Sequence, residues 1–144
     1  MSGCLFCQIA QGQRPAHKIF EGEGTVAFLD ILPCTPGHTL VIPRHHYATL
    51  SEMPAEEVGK LFQAAAMVAG RVQAAMGAAG FNMGINNGKE AGQEVFHAHI
   101  HIIPRYQGDG GGSMKSVARM SGKEDLEQLA TKIRHAFTSE EFPR

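Results

Sequence analysis

The chain has no block of like charge, no long apolar run and only three cysteines in 144 residues. Each shortage closes off a class of function. Thirteen basic against fourteen acidic side chains leave a formal net charge of -1, which gives no electrostatic reason to expect nucleic-acid or membrane-surface binding. No stretch approaches the roughly 20 apolar residues that span a bilayer. The start, Met1 to Cys7, has neither a basic n-region nor a long apolar segment, so secretion is not expected. Three cysteines are too few, and odd in number, for a disulfide scaffold; they point to a reducing compartment, the cytoplasm, and to thiol or metal use. What remains is 43% hydrophobic and 19% charged, enough to bury the core of one domain over residues 1–144.

Local patterns predict an α+β fold. Cys4 to Gln11 reads as a short helix closed by Gly12 and Pro15. Lys18–Glu21, Thr25–Asp30 and His38–Pro43 read as three strands of a meander, with Pro33–Gly37 as the loop before the third. From Pro54 to Met76 the apolar period becomes helical: Val58, Leu61, Phe62, Ala65, Val68, Ala69 and Val72 line one face. Gly77 to Gly80 supplies the stop, while Gly59 and Gly70 either weaken the helix or let it approach the sheet closely. Phe81–Asn86 returns to strand. Gly108–Gly112 is too glycine-rich to order by itself and predicts a mobile connector near the site. Ser121 with Glu124 resembles a capping box for a second helix carrying Leu126, Leu129, Ile133 and Phe137, which ends near Thr138. The expected architecture is a five-stranded, mostly antiparallel sheet with one long central helix and a C-terminal helix.

One stretch concentrates the chemistry. In Val95 to Arg105, three histidines alternate with apolar residues, so a strand would place His97, His99 and His101 on one face and send Ala98, Ile100 and Ile102 into the core. Pro104 would end the strand and leave Arg105 at its mouth. A lone histidine on a strand is usually structural, but three on one face fit either a metal site or phosphate chemistry. For metal, Cys4-x-x-Cys7 supplies two soft ligands that His45 or His46 and one histidine of the row would complete; a redox pair or two unrelated thiols fit the same spacing. For catalysis, a neutral imidazole attacks phosphorus while neighbouring imidazoles and amides hold the phosphoryl oxygens.

His97-Ala98-His99-Ile100-His101-Ile102-Ile103 resembles the His-x-His-x-His-x-x signature of the histidine triad (HIT) family. The likeness extends through Cys4-x-x-Cys7, Phe28-Leu29-Asp30, Pro36 to Pro43, Asn86 and Ala91-Gly92-Gln93, in that order over residues 4–107, and is similar to the bacterial Hint-like branch.

The resemblance implies cleavage at the α-phosphate of purine nucleotide (AMP or GMP) conjugates through a covalent nucleotidyl-histidine. His99 would be the nucleophile, His101 would contact phosphate, the carbonyl of His97 would orient the ring of His99, and His38 would support them. Asp30 matches a ribose-binding acid. Phe6, Ile9, Phe28 and Ile31 match positions around the base, and Asn86, Gly92, Gln93 and Glu94 match the phosphate and leaving-group side. Structural zinc would sit on Cys4, Cys7, His46 and His97, with no organic cofactor, and Cys34 would be a plain loop thiol. A homodimer joined through the long helix and the Phe81–Asn86 strand is implied as well, with no nucleic-acid or membrane partner. Two residue patterns depart from the family: Glu94 replaces a serine that donates to the leaving group, and the tail from Glu141 to Arg144 lacks the tryptophan found in some relatives. Other readings are a dinucleoside polyphosphate hydrolase or a non-catalytic nucleotide sensor or scaffold. Nothing in Tyr106, His17 or His135 marks a role.

Overall fold

The computed structural model describes residues 3–120, 122–123 and 125–141. The chain forms two compact units, residues 1–111 and 112–144.

The first unit is built on five antiparallel strands in the order β1-β2-β3-β5-β4: β1 Lys18–Gly22, β2 Thr25–Leu29, β3 Thr39–Pro43, β4 Gly80–Ile85 and β5 Ile100–Arg105. Consecutive β1, β2 and β3 form the expected meander. Both β3 and β4 run antiparallel to the β5 that separates them, so they share a direction and need a crossover between them. Helix α2, Ala55–Met76, makes it.

Strand alternation assigns the two faces of the sheet. Ala27, Val41, Ile100 and Ile102 pack with Leu61, Ala65, Val68, Ala69 and Val72 of α2. Val26, Phe28, Leu40 and Ile42 pack on the other face with Phe6, Ile9 and Ala10 of the short helix α1, Leu5–Ala10. Ile42, Ile100 and Ile102 are fully buried, each stabilising the fold by roughly 1.5–3 kcal/mol. α2 ends in a Schellman motif: Gly77 at φ 62° lets Ala78 N–H reach the Gln73 carbonyl and Gly77 N–H reach that of Ala74. Gly59 and Gly70 make no close approach to the sheet, for both are exposed and a Cβ at either would meet nothing within 4 Å.

Three local expectations are corrected. The β5 ladder starts only at Ile100, because the preceding backbone is used elsewhere: Ala98 N–H donates to the Tyr47 carbonyl at 2.7 Å. Pro104 does not end the strand; it pairs with Phe81 inside it. Arg105 turns its carbonyl to Ala79 N–H on the β4 side, so Pro104 faces the opposite side, beyond the last β3 partner, where no ladder bond needs its missing N–H. The segment 108–111 is not left to its glycines: Asp109 accepts both arms of the Arg105 fork at 2.8 Å and the amides of Tyr106 and Gly111 at 2.9 Å.

In the second unit, α3 spans Leu126–Arg134, capped by Asp125, whose carboxylate accepts from Glu127 N–H and Gln128 N–H. The Ser121–Glu124 box lies outside the described residues. Beyond Arg134 the chain tightens into i→i−3 bonds, so α3 ends before Thr138.

Candidate functional site: three histidines between a thiol pair and a loop

The face of the sheet opposite α2 carries the histidines, and the sharing of faces predicted by alternation persists even though only His101 lies within β5. His97 and His99 are buried, at 0% and 6% exposure, and the ring of Phe6 stands edge-on to both, 6.0 and 5.1 Å away. The rings of His99 and His101 lie 4.9 Å apart.

Hydrogen-bond partners decide the tautomers. His99 Nδ1–H donates to the His97 carbonyl at 2.7 Å, which leaves Nε2 as the bare nitrogen. His38 Nδ1 accepts from Cys34 N–H at 3.2 Å, so its proton is on Nε2 and is donated to His101 Nδ1 at 2.9 Å. His101 therefore carries its own proton on Nε2, a buried atom with no partner among the described residues. An unsatisfied buried N–H is costly, and one beside a bare imidazole nitrogen is arranged to receive an anionic oxygen. Burial pushes His101 down to about 4 and lowers His99 and His38 also, against a smaller opposing pull from Asp30, so all three rings are neutral at neutral pH.

Asp30 follows β2 at the edge of this cluster. One carboxylate oxygen accepts from Leu32 N–H at 2.9 Å, and the other lies 3.6 Å from His38 Nε2. Phe6, Ile9 and Phe28 are buried together, whereas Ile31 is 80% exposed beside an equally exposed Leu32. Asn86 donates at a long 3.5 Å to the carbonyl of Gly92, which needs glycine for its φ of 87°. The Gln93 amide is occupied by backbone: it accepts from Gly88 N–H and donates to the carbonyls of Ala48 and Val95. Glu94 is exposed.

Cys4, Cys7, His46 and His97 bring their ligand atoms within 4.8 Å of one another. Cys4 caps α1, placing both sulfurs on its first turn. His97 Nδ1 lies 3.4 Å from Cys4 Sγ and 3.5 Å from Cys7 Sγ, and His46 Nδ1 lies 3.4 Å from Cys7 Sγ. Tetrahedral zinc, bonded at about 2.3 Å to sulfur and 2.05 Å to nitrogen, has S···N edges of about 3.5 Å. The donor set fits, and so does the tautomer: His97 Nε2–H donates to the Pro43 carbonyl at 2.8 Å, turning a bare Nδ1 to the thiols. Without a cation, burial and the adjacent Cys4 push the Cys7 thiol up. Asp30, His38 and His101 form a second close group. There the tautomers oppose a metal, because His38 Nε2 points its proton inward.

Sequence reasoning missed the backbone partners. Pro43 O, Cys34 N–H and the bonds of Gln93 depend on where main chain passes, which residue type does not encode.

The HIT domain model matches residues 11–108. Adenylylsulfatase HINT3 of Arabidopsis thaliana is 38% identical over 138 residues, covering 94% of this chain and 70% of the relative. The histidine triad nucleotide-binding protein of Candida albicans superposes with a TM-score of 0.79 at 28% identity, over 93% of this chain and 94% of that one. A zinc-bound histidine triad family protein of Mycobacterium smegmatis does so with a TM-score of 0.72 at 34% identity, over 94% and 99%. With the domain match running from the end of α1 to just past β5, the chain belongs to the HIT family.

Proposed function

We propose that the protein hydrolyses purine nucleotide conjugates at the α-phosphate, with His99 as the covalent nucleophile. The observation that carries this reading is the pairing of a bare His99 Nε2 with an N–H of His101 that has no partner among the described residues. His99 Nε2 forms a bond to phosphorus as the bond from phosphorus to the leaving group breaks, and the leaving group keeps that electron pair. Water then attacks phosphorus and releases the nucleoside monophosphate and free His99. Throughout, His101 Nε2–H holds a phosphoryl oxygen and His97 O holds the ring of His99 in register. Asp30 accepts from the ribose hydroxyls; Phe6, Ile9, Phe28 and Ile31 border the base; Asn86, Gly92, Gln93 and Glu94 border the leaving group.

The relatives named as an adenylylsulfatase and as a nucleotide-binding protein support an adenylyl or similar nucleotidyl substrate. Zinc on Cys4, Cys7, His46 and His97 has a structural role, fixing α1 and the segment that leads into β5. The protein works as a cytoplasmic single-domain chain and as a homodimer, a state for which Phe62 and Met67 of α2 and Phe81 of β4 are exposed apolar contributors. No helix among the described residues is long and apolar enough to cross a membrane.

The test is turnover of adenosine 5′-phosphoramidate, with mass detection of an adenylylated His99 in quenched reactions. His99→Ala should lose the adduct and at least about a thousandfold in kcat. Equal turnover by the two proteins refutes the mechanism.

A further inference from the structure

We propose that Thr35 and Tyr106 are positioning residues: they seat the 33–37 loop against the end of β5, and the seated loop sets which nitrogen of His101 carries the proton. The inference rests on the function proposed above, because it concerns how His101 is prepared to hold the phosphoryl group.

The contacts form a closed ring. Thr35 Oγ1–H donates to the Pro104 carbonyl at 2.7 Å, and Tyr106 O–H donates to the Pro36 carbonyl at 2.6 Å. Both bonds run between the loop and β5 or the residue after it. The loop then holds His38 twice, by His38 N–H donating to the Thr35 carbonyl at 3.1 Å and by Cys34 N–H donating to His38 Nδ1 at 3.2 Å. His38 returns to the strand through His101 Nδ1. His101, Pro104 and Tyr106 are thus three points near one end of a strand, and the loop bridges them.

Pro33 and Pro36 each fix φ and so stiffen the loop, which lets two anchors place Cys34 N–H. Tyr106 is itself aimed: its N–H is held by Asp109, whose carboxyl the Arg105 fork and two amides keep well below the usual carboxylate range. Arg105 also reaches Asn82 on β4 at 2.6 Å. These bonds give the loop a fixed reference at the end of β5.

A neutral imidazole has one proton and two places for it. Cys34 N–H breaks that degeneracy at His38 through a direct bond, with the Asp30 carboxylate, 3.6 Å from Nε2, favouring the same tautomer more weakly, and His38 passes the decision to His101. If the loop lifts, His38 Nδ1 loses its donor, only the longer Asp30 contact still favours Nε2–H, and both tautomers become populated. In the wrong one, His38 offers a lone pair, His101 must donate from Nδ1, and its Nε2 presents a lone pair where a phosphoryl oxygen would sit. Binding of the nucleoside portion is untouched by this exchange, so the effect falls on kcat.

The test uses full-length protein labelled with ¹⁵N-histidine, reading the tautomers of His38 and His101 from long-range ¹H–¹⁵N correlations at neutral pH. Wild type should show Nε2–H at both. Tyr106→Phe and Thr35→Val should shift both residues to mixed tautomers and lower kcat about tenfold, with KM changed less than twofold. Thr35→Ser, which keeps the hydroxyl, should return the wild-type tautomers. Wild-type tautomers in both Tyr106→Phe and Thr35→Val overturn the proposal, whatever turnover does. If His99→Ala hydrolyses as well as wild type, the proposed reaction fails while the tautomer measurement still decides this inference. Thermal unfolding of each variant separates a lifted loop from a disrupted fold, and Tyr106→Phe alone decides the matter if Thr35→Val does not fold.

Discussion

His97 serves two neighbours with different atoms: its carbonyl oxygen lies 2.7 Å from His99 Nδ1, while its own Nδ1 faces Cys4 Sγ at 3.4 Å. One residue therefore joins the thiol pair to the proposed nucleophile. Whatever fixes the His97 ring also fixes the carbonyl that selects the tautomer of His99.

Metal removal should show this connection. The purified, reduced protein is expected to hold one zinc per chain by elemental analysis, and Cys7→Ser to hold much less. Chelation should lower the melting temperature by roughly 10 °C, the scale expected when a cation binding the native state is withdrawn. Turnover should fall through kcat, because His97 holds the ring of His99, and KM should rise, because α1 carries Phe6 and Ile9.

Stability should fall in acid because of His101. Burial holds this ring at about 4 in the fold against 6.5 as the ordinary value, despite the nearby carboxylate of Asp30. Between those values the unfolded chain binds a proton that the native state refuses, so this contribution is complete above 6.5 and is lost as pH drops towards 4. The rings of His38 and His99 face His101 and are lowered too, adding to the same slope. Urea midpoints from pH 7 to 4.5 should decline more steeply for wild type than for His101→Asn; parallel curves would contradict the assignment.

Two glycines on one helix should respond in opposite senses. Gly59 has helical neighbours and open space around its missing Cβ, so Gly59→Ala should stabilise by about 0.5–1 kcal/mol. Gly77, at φ 62°, closes α2, and Gly77→Ala should cost about 1 kcal/mol. Chemical denaturation measures both.

Gln93 should behave as a loop brace. Replacing it with Leu strands Gly88 N–H and the Ala48 and Val95 carbonyls, which should cost about 2 kcal/mol or more by urea denaturation. Unchanged stability would contradict the brace.

Element order and most strand and helix positions were legible because Val26 to Phe28 and Leu40 to Ile42 are apolar runs of strand-forming residues bounded by turn residues, and Leu61 to Val72 has a period of three to four. The histidine row was legible from its strict alternation, and its facing survived even where the ladder did not form. The misreadings lie where context overrode a local rule. Pro104 breaks a ladder only if its missing N–H is needed, and pairing on that side had already ended. Gly108 to Gly111 look unconstrained until Asp109 is seen to accept from both sides of the turn. Tyr106 and Cys34 carry no pattern at all, since one contributes through a distant carbonyl and the other through its main-chain amide.

The position of Pro104 also bears on how the fold resists association. Past Ile102, β5 has no β3 ladder partner, which leaves a notch into which a foreign extended segment could otherwise be stitched. Proline presents no donor to such a segment, and the Pro104 oxygen is already taken by Thr35. The notch is thereby closed to template-driven strand addition.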